Sequence, residues 1–200
     1  MNITAMDPFE DSGTVLAIAK VYRQAFGYEP WEEGYKCPVC NRTFDLSYTG
    51  STCPWCINTG KSVLLVEYWP INQVVSDFYG EMRKTGAICL VAYEDSSLVG
   101  FAWGYQVVVD QKLAQHLEAP SLERSVSGCA FYLDETAVLP KYQKRGIGTE
   151  LVHRIFVARS EPTLLLRTLR GSPMHHLVEE MGGRIVFGIS RGRVMMEIKL

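Results

Sequence analysis

The middle of the chain reads Val138-Leu139-Pro140-Lys141-Tyr142-Gln143-Lys144-Arg145-Gly146-Ile147-Gly148. This turn joins a strand-like segment, residues 129–139, to a helix-like segment, residues 148–159. Because Gly146 and Gly148 have no Cβ, they let the backbone approach a ligand closely. The first amides of a helix lack internal partners, and the helix dipole adds partial positive charge there. The pattern therefore predicts a pyrophosphate site, although a lone glycine pair also occurs in ordinary turns before helices.

The residues around this glycine pair resemble a known cofactor signature. The pattern Gln143-x-x-Gly146-x-Gly148, preceded by Val138-x-Pro140, is similar to the acetyl-CoA signature of the GNAT superfamily of N-acetyltransferases. The resemblance implies that the strand end bonds the pantetheine through its backbone and that the following amides hold the pyrophosphate. It thereby assigns cofactor binding to Ala137, Val138, Leu139, Gln143, Lys144, Arg145, Gly146, Ile147, Gly148 and Thr149.

Two other phosphate motifs do not fit the chain. A nucleoside-triphosphate P-loop needs Gly-x-x-x-x-Gly-Lys-Ser/Thr, which the sequence lacks. A dinucleotide-binding loop needs a third glycine three positions after the second, and Leu151 stands there. Acetyl-CoA is therefore the cosubstrate that the sequence favours.

Length and composition are those of one globular domain, or of one domain with a small insert. The chain has 200 residues, 47% of them hydrophobic, and no apolar run of about 18 residues that would span a membrane. The first eleven residues are acidic, which argues against a signal peptide, so we expect a cytoplasmic protein with no membrane partner.

Charge is unevenly distributed along the chain. Residues 141–200 hold 11 Lys and Arg against 5 Asp and Glu, whereas residues 1–140 hold 9 Lys and Arg against 17 Asp and Glu. This asymmetry suits a polyanionic cofactor at the turn and a cationic acceptor elsewhere, or it arises by chance on a solvated surface.

Four of the six cysteines form two Cys-x-x-Cys pairs, a pattern typical of metal sites. Cys37 and Cys40 make one pair, and Cys53 and Cys56 make the other after a 12-residue spacer. Two thiolates from each of two tight turns suit a tetrahedral structural zinc site. Disulfides, a redox pair and iron are the alternatives; nothing indicates secretion, and a redox centre needs only one pair.

Residues 35–62 therefore look like a zinc ribbon. Their net charge is only +2, which argues against nucleic acid as a partner because nucleic-acid ribbons usually carry a denser basic stripe. Few residues in the segment can form a core, so metal would supply much of its folding energy. The remaining cysteines, Cys89 and Cys129, lie in apolar strand contexts and are predicted to be small core residues.

Hydrophobic periodicity predicts alternating strands and helices. The predicted strands are residues 2–6, 87–93, 98–109, 129–139, 163–168, 184–189 and 194–200, and the predicted helices are residues 11–26, 70–84, 111–118, 148–159 and 173–181. Residues 120–127 are predicted to be a loop, and Arg191-Gly192-Arg193 to turn the last hairpin. This order resembles the GNAT fold everywhere except over residues 35–62. We therefore expect an α/β (α+β) GNAT-like domain over residues 1–200, with a central mixed sheet flanked by helices and a zinc-ribbon insert over residues 35–62.

Acetyl transfer to an amine needs a group that takes the amine proton, and a carboxylate suits that role. Asp134 and Glu135 lie just before the glycine turn, and the resemblance to GNAT enzymes implies that one of them is the base. The register from Val138 gives Asp134, with Glu135 as the alternate. Because neighbours on a strand point to opposite faces, only one of them is expected at the acetyl group. Tyr132 shares the face of Asp134 and is a third candidate, and two solvated acids without a catalytic role are the alternative.

The sequence departs from the family at the proton donor. GNAT relatives often carry a tyrosine that protonates the CoA thiolate, and alignment on Gly182 puts Val178 at its position. No tyrosine follows Tyr142 in the chain. His175 and His176 are either substitute donors or surface residues, and the thiolate can also leave unassisted or through water.

The leading interpretation is an acetyl-CoA-dependent N-acetyltransferase that moves an acetyl group to a primary amine. The acceptor is expected to be a small-molecule or peptide amine, and a homodimer is left open. The alternative is a catalytically silent module that binds CoA, or nothing, and uses the zinc ribbon to bind a protein or nucleic acid.

Overall fold

The computed structural model describes residues 1–120, 122–126, 128–189 and 192–199. Its helices are α1 Ser12–Phe26, α2 Pro54–Ile57, α3 Ile71–Met82, α4 Gln111–His116, α5 Leu122–Ser125, α6 Ile147–Ala158 and α7 Pro173–Glu180. Its strands are β1 Asn2–Ala5, β2 Tyr35–Lys36, β3 Thr43–Phe44, β4 Val66–Glu67, β5 Ile88–Glu94, β6 Ser97–Val109, β7 Gly128–Val138, β8 Thr163–Leu169, β9 Arg184–Gly188 and β10 Arg193–Lys199. Within these described ranges, no helix is long and apolar enough to cross a membrane.

Seven strands form one mixed sheet in the order β1-β5-β6-β7-β8-β10-β9. Every neighbouring pair is antiparallel except β7 and β8, which are parallel. A parallel pair needs a crossover connection, which the glycine turn and α6 supply. The turn therefore lies at the end of a central strand, where the chain leaves the sheet.

Helices cover both faces of this sheet. On one face, α6 and α7 pack on a core that includes Phe131, Leu133 and Leu164. On the other face, α1 and α3 pack on a core that includes Phe101 and Trp103, and α4 and α5 extend the same face. Alternate residues of each strand feed the two cores because successive side chains point to opposite faces.

A β-bulge interrupts the pairing of β6 and β7. Trp103 pairs with Glu135 and Gly104 pairs with Leu133, so Asp134 has no partner on β6. A Cβ on Gly104 would clash with the carbonyl oxygen of Tyr132, so a glycine is needed opposite the bulge. The extra residue reverses the alternation of β7, so that Glu135 lies on the α1 and α3 face instead of the α6 face.

The segment between α1 and α3 forms a separate small sheet in the order β3-β2-β4. Tyr35 of β2 pairs with Phe44 of β3 and with Glu67 of β4, so the structured segment extends a few residues beyond 62. The amide of Leu46 donates a 2.7 Å hydrogen bond to the carbonyl oxygen of Gly27, which follows α1. This small sheet is therefore fastened directly to the end of a helix of the main domain.

The structure confirms the predicted fold class and the predicted order of the main strands and helices. The sequence missed the elements of two to four residues, β2, β3, β4, α2 and α5, because so short a segment carries no readable period. Helix α5 lies where a loop was predicted. Cys129 is exposed and not in the core, because it lies near the start of β7, opposite the exposed Val108 near the end of β6. Arg191 of the predicted hairpin turn, Leu200 of the last predicted strand, and Ser121 and Ser127 of the predicted loop lie outside the described residues.

Candidate functional site

Strands β7 and β8 pair over a short length and then part. Their parallel register joins Phe131–Leu133 to Leu164–Leu166 and extends no further in the described part of the chain. Beyond Leu133, β7 continues to Val138 and pairs only with β6. The backbone groups of this part of β7 that point toward β8 are therefore available to an elongated ligand.

The glycine turn follows β7 directly, and its backbone suits an anion. Lys144 and Gly146 have φ angles of 61° and 78°, in the left-handed region, and Gly146 caps α6 without a side-chain hydrogen bond. The hydrogen bonds among the described residues include none donated by the amides of residues 144–149. A Cβ on Gly148 would meet only Cγ2 of Val138, at 3.8 Å, so the space above the helix end is open. The turn thus presents free amides at the positive end of a helix dipole.

Asp134 and Glu135 line one and the same cleft, of about 420 Å³, on the α1 and α3 face of the sheet. The strand alternation expected from the sequence allowed only one of them to reach it. The bulge removes that restriction, because the extra residue turns Glu135 to the side of Asp134. The cleft also holds the acids Asp77 and Glu81, the cations Lys84 and Arg167, and aromatic walls from Tyr22, Trp69, Trp103, Tyr105 and Tyr132.

Each of the three inner carboxylates accepts a hydrogen bond from an aromatic side chain. The Tyr22 hydroxyl donates to Oε1 of Glu135 at 3.0 Å, and the Tyr105 hydroxyl donates to Oδ2 of Asp134 at 3.1 Å. The indole Nε1 of Trp103 donates to Oε2 of Glu81 at 2.7 Å. Donors on α1 and β6 therefore fix the carboxylates of α3 and β7 in the cleft.

The carboxylates also change one another's ionisation. Burial raises the pKa of Glu81 to about 8, and the negative charge of Asp134 adds to the shift. Burial raises the pKa of Glu135 well above its ordinary value of 4.5, Asp134 again adds to the shift, and the hydrogen bond from Tyr22 opposes it. Glu81 and Glu135 therefore tend to hold protons near neutral pH.

The tyrosines of the cleft remain neutral hydroxyls. Burial, followed by the charge of Asp134, raises the pKa of Tyr105 and of Tyr132. Burial and the charge of Glu135 raise the pKa of Tyr22 well above its ordinary value. All three are thus hydrogen-bond donors at working pH rather than bases.

The family model of the acetyltransferase (GNAT) family matches residues 58–182, which include β7, the bulge, the glycine turn and α6. The chain belongs to the GNAT acetyltransferase family. The match begins just after Cys56, so the cysteine pairs lie outside it. No curated protein matches the chain.

Solved structures share the fold of this GNAT chain at low sequence identity. PH1933 from Pyrococcus horikoshii OT3 has a TM-score of 0.62 at 16% identity, over 100% of this chain and 98% of that one. The PaiA N-acetyltransferase from Thermoplasma acidophilum, in complex with coenzyme A, has a TM-score of 0.54 at 15% identity, over 100% of both chains. The protein yncA from Salmonella typhimurium, with its cofactor acetyl-CoA, has a TM-score of 0.58 at 14% identity, over 100% of this chain and 94% of that one. At these identities the likeness concerns the fold alone.

The position expected to hold a proton-donating tyrosine offers no donor in this GNAT domain. Val178 is fully buried and packs in the core beneath α7. His175 is buried and His176 is exposed on the same helix, and neither lines the carboxylate cleft. The hydroxyls that do reach the cleft come from Tyr22, Tyr105 and Tyr132.

Sequence reasoning missed most of the cleft, including Glu81, Tyr22, Tyr105 and Arg167. A weak signal existed for Glu81, because it lies four residues after Asp77 on one face of α3. The others could not be found, because their place depends on which strands and helices lie side by side.

The four cysteines of the insert come together as a metal site would require. Sγ of Cys37 lies 3.7 Å from Sγ of Cys56, and Sγ of Cys40 lies 3.6 Å from Sγ of Cys53. All four sulfurs lie within 4.8 Å of one another. Tetrahedral zinc with bonds of about 2.3 Å separates its sulfur ligands by about 3.8 Å, so the donor set fits this ion. The distances are too long for disulfides, and the cysteines are free.

A second cavity lies between the insert and the glycine turn. Its volume is about 570 Å³, and its walls include Lys20, Arg23, Leu46, Leu139 and Lys141. Arg23 also pairs with Glu67 of β4. The insert therefore forms part of the wall of a basic cavity that adjoins the start of the turn.

Proposed function

We propose that this GNAT protein is an acetyl-CoA-dependent N-acetyltransferase that transfers an acetyl group to a primary amine. The carboxylate cluster beside the parted strands carries the proposal. Glu81, Asp134 and Glu135 give the cleft a cluster of carboxyl groups between aromatic walls, which suits hydrogen bonds and cation–π contacts with an amine of a small molecule or a peptide. Two neighbours with the same fold were solved with CoA or acetyl-CoA, which supports the same cosubstrate here.

We assign acetyl-CoA to the gap between β7 and β8 and to the glycine turn. The backbone of Ala137, Val138 and Leu139 would bond the pantetheine, and Gln143 and the amides of residues 144–149 would hold the pyrophosphate. The free amides of the turn and the exposed Lys144 and Arg145 support this assignment, because they concentrate positive charge at the start of α6.

Transfer requires the amine in its neutral form. The amine nitrogen attacks the thioester carbonyl, the C–N bond forms, the C–S bond breaks, and the proton leaves the nitrogen for a carboxylate. We assign the base to Asp134, with Glu135 as the alternate. The raised pKa of Glu135 and of Glu81 supports this order, because a carboxyl that holds its own proton cannot take another. Tyr132, a neutral hydroxyl, suits a donor role better than that of a base.

The departing thiolate takes its proton from water or leaves unassisted, because the side chain of Val178 has no proton to donate. This valine at the expected donor position also favours the second candidate function, a silent module that binds CoA without turnover and uses its ribbon to bind a protein or nucleic acid.

We also propose that residues 35–62 are a zinc-ribbon insert within a domain of residues 1–200. Cys37, Cys40, Cys53 and Cys56 would hold one structural zinc ion that stabilises the fold of the insert. Leu46 lies in the wall of the basic cavity, which supports a role for the insert in shaping the approach to the acetyl-CoA site.

Two measurements on the full chain test the proposal. Calorimetry should detect acetyl-CoA binding, and a thiol reagent should detect CoA release with one or more members of a panel of small diamines, aminoglycosides and peptides with free amines. Binding without release from any amine would favour the silent module and contradict the enzyme. Absence of acetyl-CoA binding would contradict the enzyme and leave only a module that acts through its ribbon.

A further inference from the structure

A second group of metal-ligating side chains lies on α7, away from the ribbon cysteines and the carboxylate cleft. It consists of His175, His176 and Glu179. Helix α7 packs on β8 and β10, on the sheet face opposite to α1 and α3. The group is therefore separate from both sites described above.

His175 is buried without a hydrogen-bond partner for its ring. The residue is 6% exposed, and neither Nδ1 nor Nε2 has a partner among the described residues. The hydroxyl of Ser172 is engaged elsewhere, because it shares a 2.9 Å hydrogen bond with the hydroxyl of Thr168 and accepts one from the backbone amide of His175. Buried polar side chains nearly always have a partner, so this imidazole needs an explanation.

The missing partner can be an ion held by the neighbouring side chains. Oε2 of Glu179 lies 3.7 Å from Nδ1 of His175 and 3.6 Å from Nδ1 of His176. These distances are too long for hydrogen bonds. A tetrahedral ion with bonds of about 2.1 Å separates its ligand atoms by about 3.4 Å, so both contacts of Glu179 lie within a few tenths of an ångström of that spacing. All three ligand atoms lie within 4.8 Å of one another.

Helix geometry explains how three residues of one helix can meet at a point. Glu179 is four residues after His175 and three after His176, so it neighbours both on the helix surface. The side chains of His176 and Glu179 are 62% and 51% exposed, so both can rotate onto an ion. One anchored ligand and two mobile ones leave the fourth position open to water.

We propose that α7 carries a second metal site, in which Nδ1 of His175, Nδ1 of His176 and a carboxylate oxygen of Glu179 bind a late first-row divalent cation, with Zn²⁺ as the best fit. Neutral imidazoles and a carboxylate are a ligand set that zinc commonly takes. The site differs from the ribbon in chemistry, with nitrogen and oxygen ligands in place of four thiolates. Binding would tie the exposed face of α7 to its buried histidine and stabilise the helix on β8 and β10.

The test is a calorimetric titration of ZnCl₂ into the full chain, whose ribbon has first been filled with one equivalent of zinc and freed of excess metal. A second equivalent should bind. Glu179→Gln and His176→Ala should each weaken this second binding at least tenfold. Both changes are on exposed side chains, so folding is retained. Glu180→Gln, the adjacent exposed carboxylate of α7, is the matched control and should bind as the wild type does.

Thermal unfolding gives a second readout that does not depend on the heat of binding. The second equivalent of zinc should raise the melting temperature of the wild type and of Glu180→Gln, and should leave that of Glu179→Gln unchanged. Absence of binding beyond the first equivalent would overturn the site. Equal second binding in Glu179→Gln and the wild type would overturn it as well, because the ion would then lie elsewhere.

Discussion

The hydroxyl of Tyr22 in α1 donates a 3.0 Å hydrogen bond to Oε1 of Glu135, the residue next to the bulge in β7. This contact joins the helix that leads into the ribbon to the strand that leads into the glycine turn. Burial raises the pKa of Glu135, and the bond from Tyr22 opposes that shift because it favours the ionised carboxylate. A side chain of α1 therefore influences the ionisation of a carboxyl group in the cleft.

Removal of this bond should change the pH dependence of acetyl transfer. In Tyr22→Phe the pKa of Glu135 should rise further, because the donor that favours its ionised form is gone. If Glu135, the alternate base, is the group that titrates with activity, the acidic limb of the kcat/KM profile should then move to higher pH; if Asp134 is the base, the limb should stay in place. Profiles of wild type and variant with one working acceptor provide the measurement, and superimposable limbs would show that Glu135 does not titrate with activity.

Glu81 should make the protein less stable as pH rises. The pKa of this carboxyl is about 8 in the folded chain against an ordinary value of 4.5, so the folded state binds the proton more tightly than the unfolded state. The stabilising contribution of the protonated form is fully present below pH 4.5 and is lost as pH rises toward 8. Glu81→Gln stays neutral throughout. Its melting temperature relative to the wild type should therefore be higher at pH 8.5 than at pH 5.

The control for this effect is Asp77→Asn, which removes an exposed charge one turn earlier on α3. Its melting temperature relative to the wild type should depend much less on pH. A pH dependence in Asp77→Asn equal to that in Glu81→Gln would assign the effect to the overall charge and not to the buried carboxyl.

Much of the fold was predictable because its signals are local. Asp11 caps α1, since its side chain accepts a hydrogen bond from the amide of Thr14, and Gly182 follows the end of α7. The glycine turn was found for the same reason, because Gly146 and Gly148 sit beside each other in the sequence as they do in the structure. Local spacing likewise brought Cys37 and Cys40 into one candidate site with the second cysteine pair.

The carboxylate cleft was only half predictable, because its other half is set by strand pairing. The bulge at Asp134 depends on Gly104 of β6, thirty positions earlier, and no period within β7 reveals it. Glu81 and Tyr22 reach the cleft because α3 and α1 pack side by side on the sheet. Such placement is a tertiary property, which a single sequence does not display.

Gly148→Asp should weaken acetyl-CoA binding by at least tenfold, about 1.4 kcal/mol. The new carboxylate would enter the open space above α6 and repel the pyrophosphate there. Folding should be retained, because a Cβ at this position meets only Val138 at an ordinary contact distance and an acid suits a helix start. Gly148→Ala, which adds the Cβ without the charge, should lose less acetyl-CoA affinity than Gly148→Asp. Equal calorimetric affinity in Gly148→Asp and the wild type would remove the turn from the binding site.

The purified chain should hold about one zinc ion in its ribbon, and Cys53→Ser should lose most of it. Cys53 is fully buried among the other thiols, so a serine there removes one of four ligands from a site with no spare donor. Limited proteolysis should then cut residues 35–62 faster than in the wild type. Cys129→Ser, an exposed cysteine outside the ribbon, should keep both the metal content and the proteolysis rate. A wild type without metal after purification in the absence of chelators would contradict the ribbon.

Asp134→Asn should lower turnover by roughly 10²–10⁴ and leave acetyl-CoA binding intact, if Asp134 accepts the amine proton. The sequence alone suggested that Glu135→Gln would matter little, on the ground that its side chain leaves by the other face. Since both acids line one cleft and Glu135 interacts electrostatically with Asp134, Glu135→Gln should now show an intermediate loss. Steady-state rates of both variants with one acceptor, together with their acetyl-CoA affinities, separate the two roles. A larger loss of turnover in Glu135→Gln than in Asp134→Asn would assign the base to Glu135 instead. Full activity in both variants would mean that water accepts the amine proton and that positioning of a neutral amine supplies most of the rate enhancement.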